Sequence, residues 1–204
     1  MTLDNGLISG VRQVALVVRN LDSTMAEYTE RLGIGPWWVS LYGPPRMTEM
    51  RIRGAEIAYS MKLAIAWTGE TMWELIQPVD GPSIYKEFLE EKGEGFHHVI
   101  VEHHGTQFDE AISDFSARGC PPLMEGRFGE VRFAYIDTEG PLKTVLEIVD
   151  RPKYFVRPEP DRWYPGPPKW DSIAFGFKVP DLYPQVRREE LRRSESVYLI
   201  VPLS

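Results

Sequence analysis

The sequence predicts an α+β protein made of two copies of one strand–helix–strand–strand–strand unit. Three observations predict it. A β-rich apolar run leading into an amphipathic helix occurs twice. Gln13-Val14-Ala15-Leu16 aligns with His98-Val99-Ile100-Val101 at an offset of 85, and the helix-ending Gly33 and Gly119 follow at 86. Glu74-Leu75-Ile76-Gln77-Pro78 is echoed by Glu147-Ile148-Val149-Asp150-Arg151-Pro152. Self-similarity at a fixed offset is the mark of an internal duplication, and 204 residues give each copy room for a core.

Val11–Val18 reads as the first strand. Asp22, Ser23 and Thr24 offer helix caps, Thr24 and Glu27 suit a capping box, and Gly33 suits the stop. Leu21, Met25, Tyr28 and Leu32 recur every three or four residues and predict one buried stripe. Residues 37–42, 55–66 and 71–77 read as strands, punctuated by Pro44-Pro45 and Gly69. A short helix over 82–92 leads to the second copy. There, 96–103 reads as a strand and 106–118 as a helix capped by Thr106, with Phe108, Ile112 and Phe115 on its apolar side. Strands near 121–126, 130–137 and 142–149 complete it. The organisation predicted is a first module over 1–80, a linker helix over 81–95, a second module over 96–150 and an extension over 151–204.

The extension differs in kind. It holds nine of the 17 prolines, interleaved with Tyr154, Phe155, Trp163, Tyr164 and Trp170. Such a segment is too aromatic for a free linker and is expected to pack on the surface of the modules, as an embrace, a lid or a dimer arm.

Charge and cysteine content exclude several functions. Residues 1–150 hold 13 basic and 23 acidic side chains, whereas 151–204 hold 10 and 7, for a net charge of −7. An acidic core repels a phosphate backbone, so nucleic acid is not the expected partner. The single Cys120, followed by two prolines, forms no intramolecular disulfide and anchors no thiolate zinc site. No apolar run approaches the ~20 residues that span a bilayer, and the first ten residues do not read as a signal peptide. A cytoplasmic protein without membrane contact is expected.

Four strands each place a ligand-type residue in an apolar run: Gln13, Glu74, His98 and Glu147. Side chains alternate along a strand. Gln13 therefore shares a face with Ala15 and Val17, Glu74 with Met72 and Ile76, His98 with Phe96 and Ile100, and Glu147 with Val145 and Val149. Burying carboxylates among such neighbours is costly unless they are paired or hold a metal. Two carboxylates, an imidazole and an amide make a mixed nitrogen–oxygen site for a divalent cation. All four histidines fall within eight residues, but alternation turns His97 to the opposite face, as a structural or solvent-facing residue. His103 and His104 fall at the strand end and read as solvated loop. Glu87, Glu90, Glu91 and Glu94 read as a wet helix face.

These segments resemble the vicinal oxygen chelate superfamily, which includes glyoxalase I, methylmalonyl-CoA epimerase, extradiol dioxygenases and antibiotic-resistance proteins. The resemblance rests on QVALVVRNLDSTMAEYTERLG, WELIQPVDGPSIYKEFLEEKGEGFHHVIVE and VLEIVD, and covers about residues 11–150. The middle segment is most similar to the methylmalonyl-CoA epimerase branch. The resemblance implies paired βαβββ modules forming a cupped, barrel-like mixed sheet, and a homodimer. It also implies one divalent metal ion per chain (zinc, cobalt, nickel, manganese or iron), with Gln13, Glu74, His98 and Glu147 as ligands.

The function the resemblance implies is metal-dependent isomerisation, epimerisation or lysis, with a proton abstracted α to the carbonyl of a small molecule, a thioester included. Glu147 is the implied base and Glu74 the second acid/base. The arginine with which glyoxalase I grips glutathione would fall on Val17, which speaks against that substrate. Glu49 and Glu56 lie near where epimerases of this type carry a further carboxylate. Two alternatives share the scaffold. One is a non-catalytic binding protein whose cavity takes an aromatic ligand, for which Trp37, Trp38, Trp67 and Trp73 would serve unless they are core. The other is an oxygenase or biosynthetic enzyme, although an extradiol iron site would want a histidine where Glu74 stands.

Overall fold

All the strands found among the described residues (7–103, 107–152, 155 and 157–168 in a computed structural model) join one mixed sheet. In chain order the elements are β1 (Ile8–Val17), α1 (Leu21–Leu32), β2 (Trp37–Tyr42), β3 (Met47–Ile52), β4 (Ala55–Glu56), β5 (Ser60–Thr68) and β6 (Thr71–Asp80). There follow α2 (Ile84–Glu91), β7 (Gly95–His103), α3 (Phe108–Ala117), β8 (Pro122–Phe128), β9 (Val131–Ile136), α4 (Glu139–Leu142), β10 (Val145–Asp150) and β11 (Arg162–Tyr164). The sheet runs β11-β2-β5-β6-β1-β7-β10-β9-β8-β3-β4, curved and open at both ends.

The duplication is visible in the register. In the first module β1 pairs in parallel with β6, Gln13 opposite Met72 and Ala15 opposite Glu74. In the second, β7 pairs in parallel with β10, His98 opposite Val145 and Ile100 opposite Glu147. Antiparallel pairing of β1 with β7 joins the modules along the middle of the sheet.

Alternation along these strands separates two faces. Ala15, Val17, Met72, Ile76, Ile100 and Val145 belong to one inner cluster drawn from both modules. Leu16, Val18 and Leu75 pack under α1 with Leu21, Met25 and Trp37. Val101, Leu146 and Ile148 pack under α3 with Phe108, Ala111 and Phe115. Each such large side chain, once removed from water, contributes about 1.5–3 kcal/mol.

Four sequence expectations change. Helix α1 is capped by Asn20, whose side chain accepts from Ser23 N at 3.0 Å, rather than by a Thr24–Glu27 box. Thr24 lies inside the first turn and returns its hydroxyl to Asn20 O. Leu32 is 65% exposed, because the chain turns at Gly33 (φ 69°) and Ile34 takes the buried place instead, its N–H bonded to Tyr28 O. The strand expected over 55–66 is two pieces, β4 and β5. Before it, β3 leaves the first module and pairs with β8 of the second, burying Met47, Met50 and Ile52. Thr106, the expected cap of α3, lies outside the described residues, as does His104; the Gln107 N–H is satisfied by the Glu110 carboxylate at 3.2 Å.

The extension returns across the first module. Its strand β11 pairs with β2, Trp163 opposite Trp38, and so extends the sheet at that edge. Of the segment from 153 onward, 153, 154, 156 and 169–204, with Trp170, fall outside the described residues. No helix among the described residues is long and apolar enough to cross a membrane.

Candidate metal centre

Register places the four predicted side chains on the inner face in two adjacent rows. Gln13 and Glu147 share one row with Met72 and Ile100; Glu74 and His98 share the next with Ala15 and Val145. The small side chain of Ala15 leaves the space between Glu74 and His98 open. All four are buried. Gln13 Nε2 donates to Glu74 Oε2 at 2.8 Å and lies 3.4 Å from His98 Nε2. His98 Nε2 is 3.4 Å from Glu74 Oε2 and 3.0 Å from Glu147 Oε2.

Glu74, His98 and Glu147 offer ligand atoms all within 4.8 Å of one another. Glu147 Oε2 is buried, and despite its nearness to His98 no well-aligned hydrogen bond satisfies it. A buried, unsatisfied carboxylate oxygen facing an imidazole and a second carboxylate fits a divalent cation, and the Gln13 amide can turn its oxygen to such an ion.

A family model described as Glyoxalase/Bleomycin resistance protein/Dioxygenase superfamily matches residues 12–135, which include three of these four residues. The chain belongs to this superfamily. Among solved structures, the methylmalonyl-CoA epimerase of Mycobacterium tuberculosis is 19% identical, with a TM-score of 0.51 over 75% of this chain and 95% of that one. A hypothetical protein of Bacillus halodurans C-125 is 15% identical, with a TM-score of 0.55 over 72% and 98%. At these identities the likeness is one of fold. No curated protein matches the chain significantly. The family match ends at residue 135, so for this member of the glyoxalase superfamily the tail beyond β10 lies outside it.

The electrostatics of this cluster follow from burial. Burial disfavours charge on the His98 ring, yet hydrogen bonding and charge from Glu147 and Glu74 prevail and lift its pKa to about 9. Burial also pushes the Glu147 carboxyl up, against the opposing pull of His98. Tyr85 and Tyr135 are held protonated by burial, and the Tyr85 hydroxyl donates to that of Tyr135 at 2.6 Å.

His97 departs from its expected place. It is neither solvent-facing nor on the opposite face: β7 carries a bulge, with Ala15 opposite His98 and Leu16 opposite Phe96, so His97 is the extra residue. It is buried among Tyr85, Phe88 and Tyr135, and its Nδ1 lies 2.9 Å from His98 Nδ1. Burial, then the His98 charge, pushes its pKa well down, so it is a neutral ring. Phe96, expected beside His98, is instead 66% exposed.

Glu49 and Glu56 do not reach the site. Both are exposed on the β3–β4 arm, Glu49 bonded to Arg127 and Glu56 facing Arg51 at 3.6 Å. Trp37 and Trp38 are buried, in the helix-side and inner clusters respectively. The cavity above the site is walled by apolar side chains such as Met61, Leu63, Ile65 and Phe133, and capped by Arg151, Phe155 and Arg157. The arginines were not among the expected site residues. One signal was readable: Arg151 stands four residues after Glu147, on the same alternating face.

Proposed function

We propose that the protein is a divalent-metal-dependent enzyme that removes a proton from the carbon α to a carbonyl of a small substrate, as an isomerase, epimerase or lyase. The observation that carries this reading is the buried Glu74–His98–Glu147 cluster, with its unsatisfied Glu147 oxygen open to an apolar cavity. Gln13, Glu74, His98 and Glu147 would hold the metal, which supplies a Lewis acid for the oxygen of an enolate.

Glu147 takes the proton. Burial raises its carboxyl above the ordinary carboxylate range, which strengthens it as a base. Glu74, 3.4 Å from His98 Nε2, would supply the second acid/base. Return of the proton to the opposite face gives epimerisation, and return to the neighbouring carbon gives isomerisation. Tyr85 and Tyr135, being protonated, stiffen the floor beneath His98 and do not compete as bases. The apolar walls keep water from the enolate. The superfamily resemblance further supports a homodimer, and the reading keeps the cytoplasmic location expected from the sequence.

The test is deuterium incorporation from D2O at the α-carbon of epimerase and glyoxalase substrates, read by NMR with metal-replete protein. Exchange is expected, with a loss of at least 100-fold in Glu147→Gln. Absence of exchange with every such substrate would contradict the reading.

A further inference from the structure

Two arginines reach the cavity from the C-terminal strap, and neither forms an ion pair among the described residues. Arg151 follows β10 directly, and its Nε is buried with no hydrogen-bond partner. The Arg157 guanidinium lies over two indoles, its Cζ 5.3 Å from the Trp38 ring and 5.7 Å from the Trp67 ring. Among the described residues, its Nη2 meets the Met72 sulfur at 3.8 Å. Burial lowers the pKa of both, and the charge of Arg157 lowers that of Arg151 further.

The strap holds Arg157 in place deliberately. Trp38 Nε1 donates to Pro158 O at 2.9 Å, and Asp161 N donates to the buried Ser40 hydroxyl at 3.0 Å. The Asp161 carboxylate accepts from Leu41 N at 2.8 Å and pairs with Arg46, and β11 then runs along β2. A chain segment so anchored directs a cation inward at a fixed point.

Two desolvated, mutually repelling guanidiniums without a carboxylate partner are costly to maintain. Glu74 and Glu147 act on the two arginines as charges within the cavity, but neither forms an ion pair or hydrogen bond with them, and Glu74 already accepts from Gln13. A divalent ion at those carboxylates would leave the cavity still more positive. The missing counter-charge is an anion with two acceptor oxygens, which a guanidinium fork matches. The apolar side chains that line the same cavity suit the carbon skeleton of an organic acid rather than an inorganic ion.

We propose that Arg151 and Arg157 are the carboxylate-recognition half of the site, so that the substrate is a small 2-oxo or 3-oxo acid. Its carboxylate lies against the two guanidiniums, and its carbonyl end reaches Glu74, His98 and Glu147. This rests on the enolising reading above and names its substrate class.

The experiment is calorimetric titration of the full chain, metal-free and zinc-loaded, with 2-oxobutyrate and with its uncharged methyl ester. The acid is expected to bind at least tenfold more tightly than the ester. Arg157→Gln and Arg151→Gln should each remove that preference, weakening the acid about tenfold or more while leaving the ester unchanged. Arg157→Lys, which keeps the charge but not the fork, should fall between. If Arg157→Gln does not fold, as its melting curve would reveal, Arg151→Gln and Arg157→Lys carry the test. Equal binding of acid and ester, no binding of either, or arginine variants that bind the acid like the parent would overturn the proposal. Charge-dependent binding without deuterium exchange would instead overturn the enolising reading and leave the arginines as an acid-binding pair.

Discussion

The Nδ1 atoms of His97 and His98 lie 2.9 Å apart, so the two neighbouring rings share one hydrogen bond. Because burial keeps His97 neutral, it can accept the Nδ1 proton of His98 and leave His98 Nε2 directed at Glu74 and Glu147. A metal-ligating histidine is commonly oriented by such a partner on its other nitrogen. His97→Phe is therefore expected to weaken divalent-metal binding about 10–100-fold. Titration of the metal-free variant with zinc or cobalt checks this, and unchanged affinity would make His97 a packing residue alone.

Metal binding should depend steeply on pH. With the His98 pKa raised to about 9 in the metal-free fold, an incoming ion must displace a proton from it at neutrality. Affinity should then rise about tenfold per pH unit from 6.5 toward 9 and level off above. The metal-free fold behaves in the opposite sense. A raised histidine pKa contributes stability that is fully present below the unfolded value of about 6.5 and lost as pH climbs through about 9. Metal-free protein should accordingly lose a few kcal/mol of stability across that window, while metal-loaded protein does not, as parallel thermal melts would show.

Asp161 ties the strap to β2 through Leu41 N and Arg46. Asp161→Ala leaves the Leu41 N–H without its acceptor and should cost about 1 kcal/mol, a fall of about 2–4 °C in Tm. Hydrogen exchange at Arg162–Tyr164 should accelerate while β1 and β7 keep their protection. Uniform protection throughout would mean the strap is held by other contacts.

Gly126 has no room for a methyl group. A Cβ there would stand 2.5 Å from Phe133 Cζ, and Phe133 lines the cavity. Gly126→Ala should destabilise by about 1–3 kcal/mol by forcing that ring inward. Gly140→Ala, where a Cβ meets nothing within 4 Å, is the matched control and should be near neutral. Equal melting temperatures for the two would contradict the packing described here.

The inner face of the sheet was legible in the sequence because alternation needs only local spacing. Gln13, Glu74 and Glu147 each keep parity with inner-cluster neighbours such as Ala15, Met72 and Val145. His98 keeps it with Ile100 but not with Phe96, because the bulge at His97 resets the alternation, and nothing in the residue pattern marks a bulge. The β3–β4 arm was not legible either. Glu49 sits at φ 54° within a short polar strand, and its partner β8 lies far along the chain, so its pairing is fixed by tertiary contact. Arg157 is hidden for the same reason: the contact from Trp38 to Pro158 that positions it spans 120 residues. Proline and aromatic content pointed to packing of the tail, which its described residues up to 168 show, but not to a cap over the cavity.

The central claim is that Gln13, Glu74, His98 and Glu147, brought together by the duplicated register, form one divalent-metal site. Elemental analysis of the purified chain after equilibration with divalent metal and gel filtration tests it most directly. The account predicts about one ion per chain for the parent, and near zero for His98→Ala and Glu147→Ala that still melt cooperatively. A parent that retains no ion, or folded variants that retain as much as the parent, would contradict it.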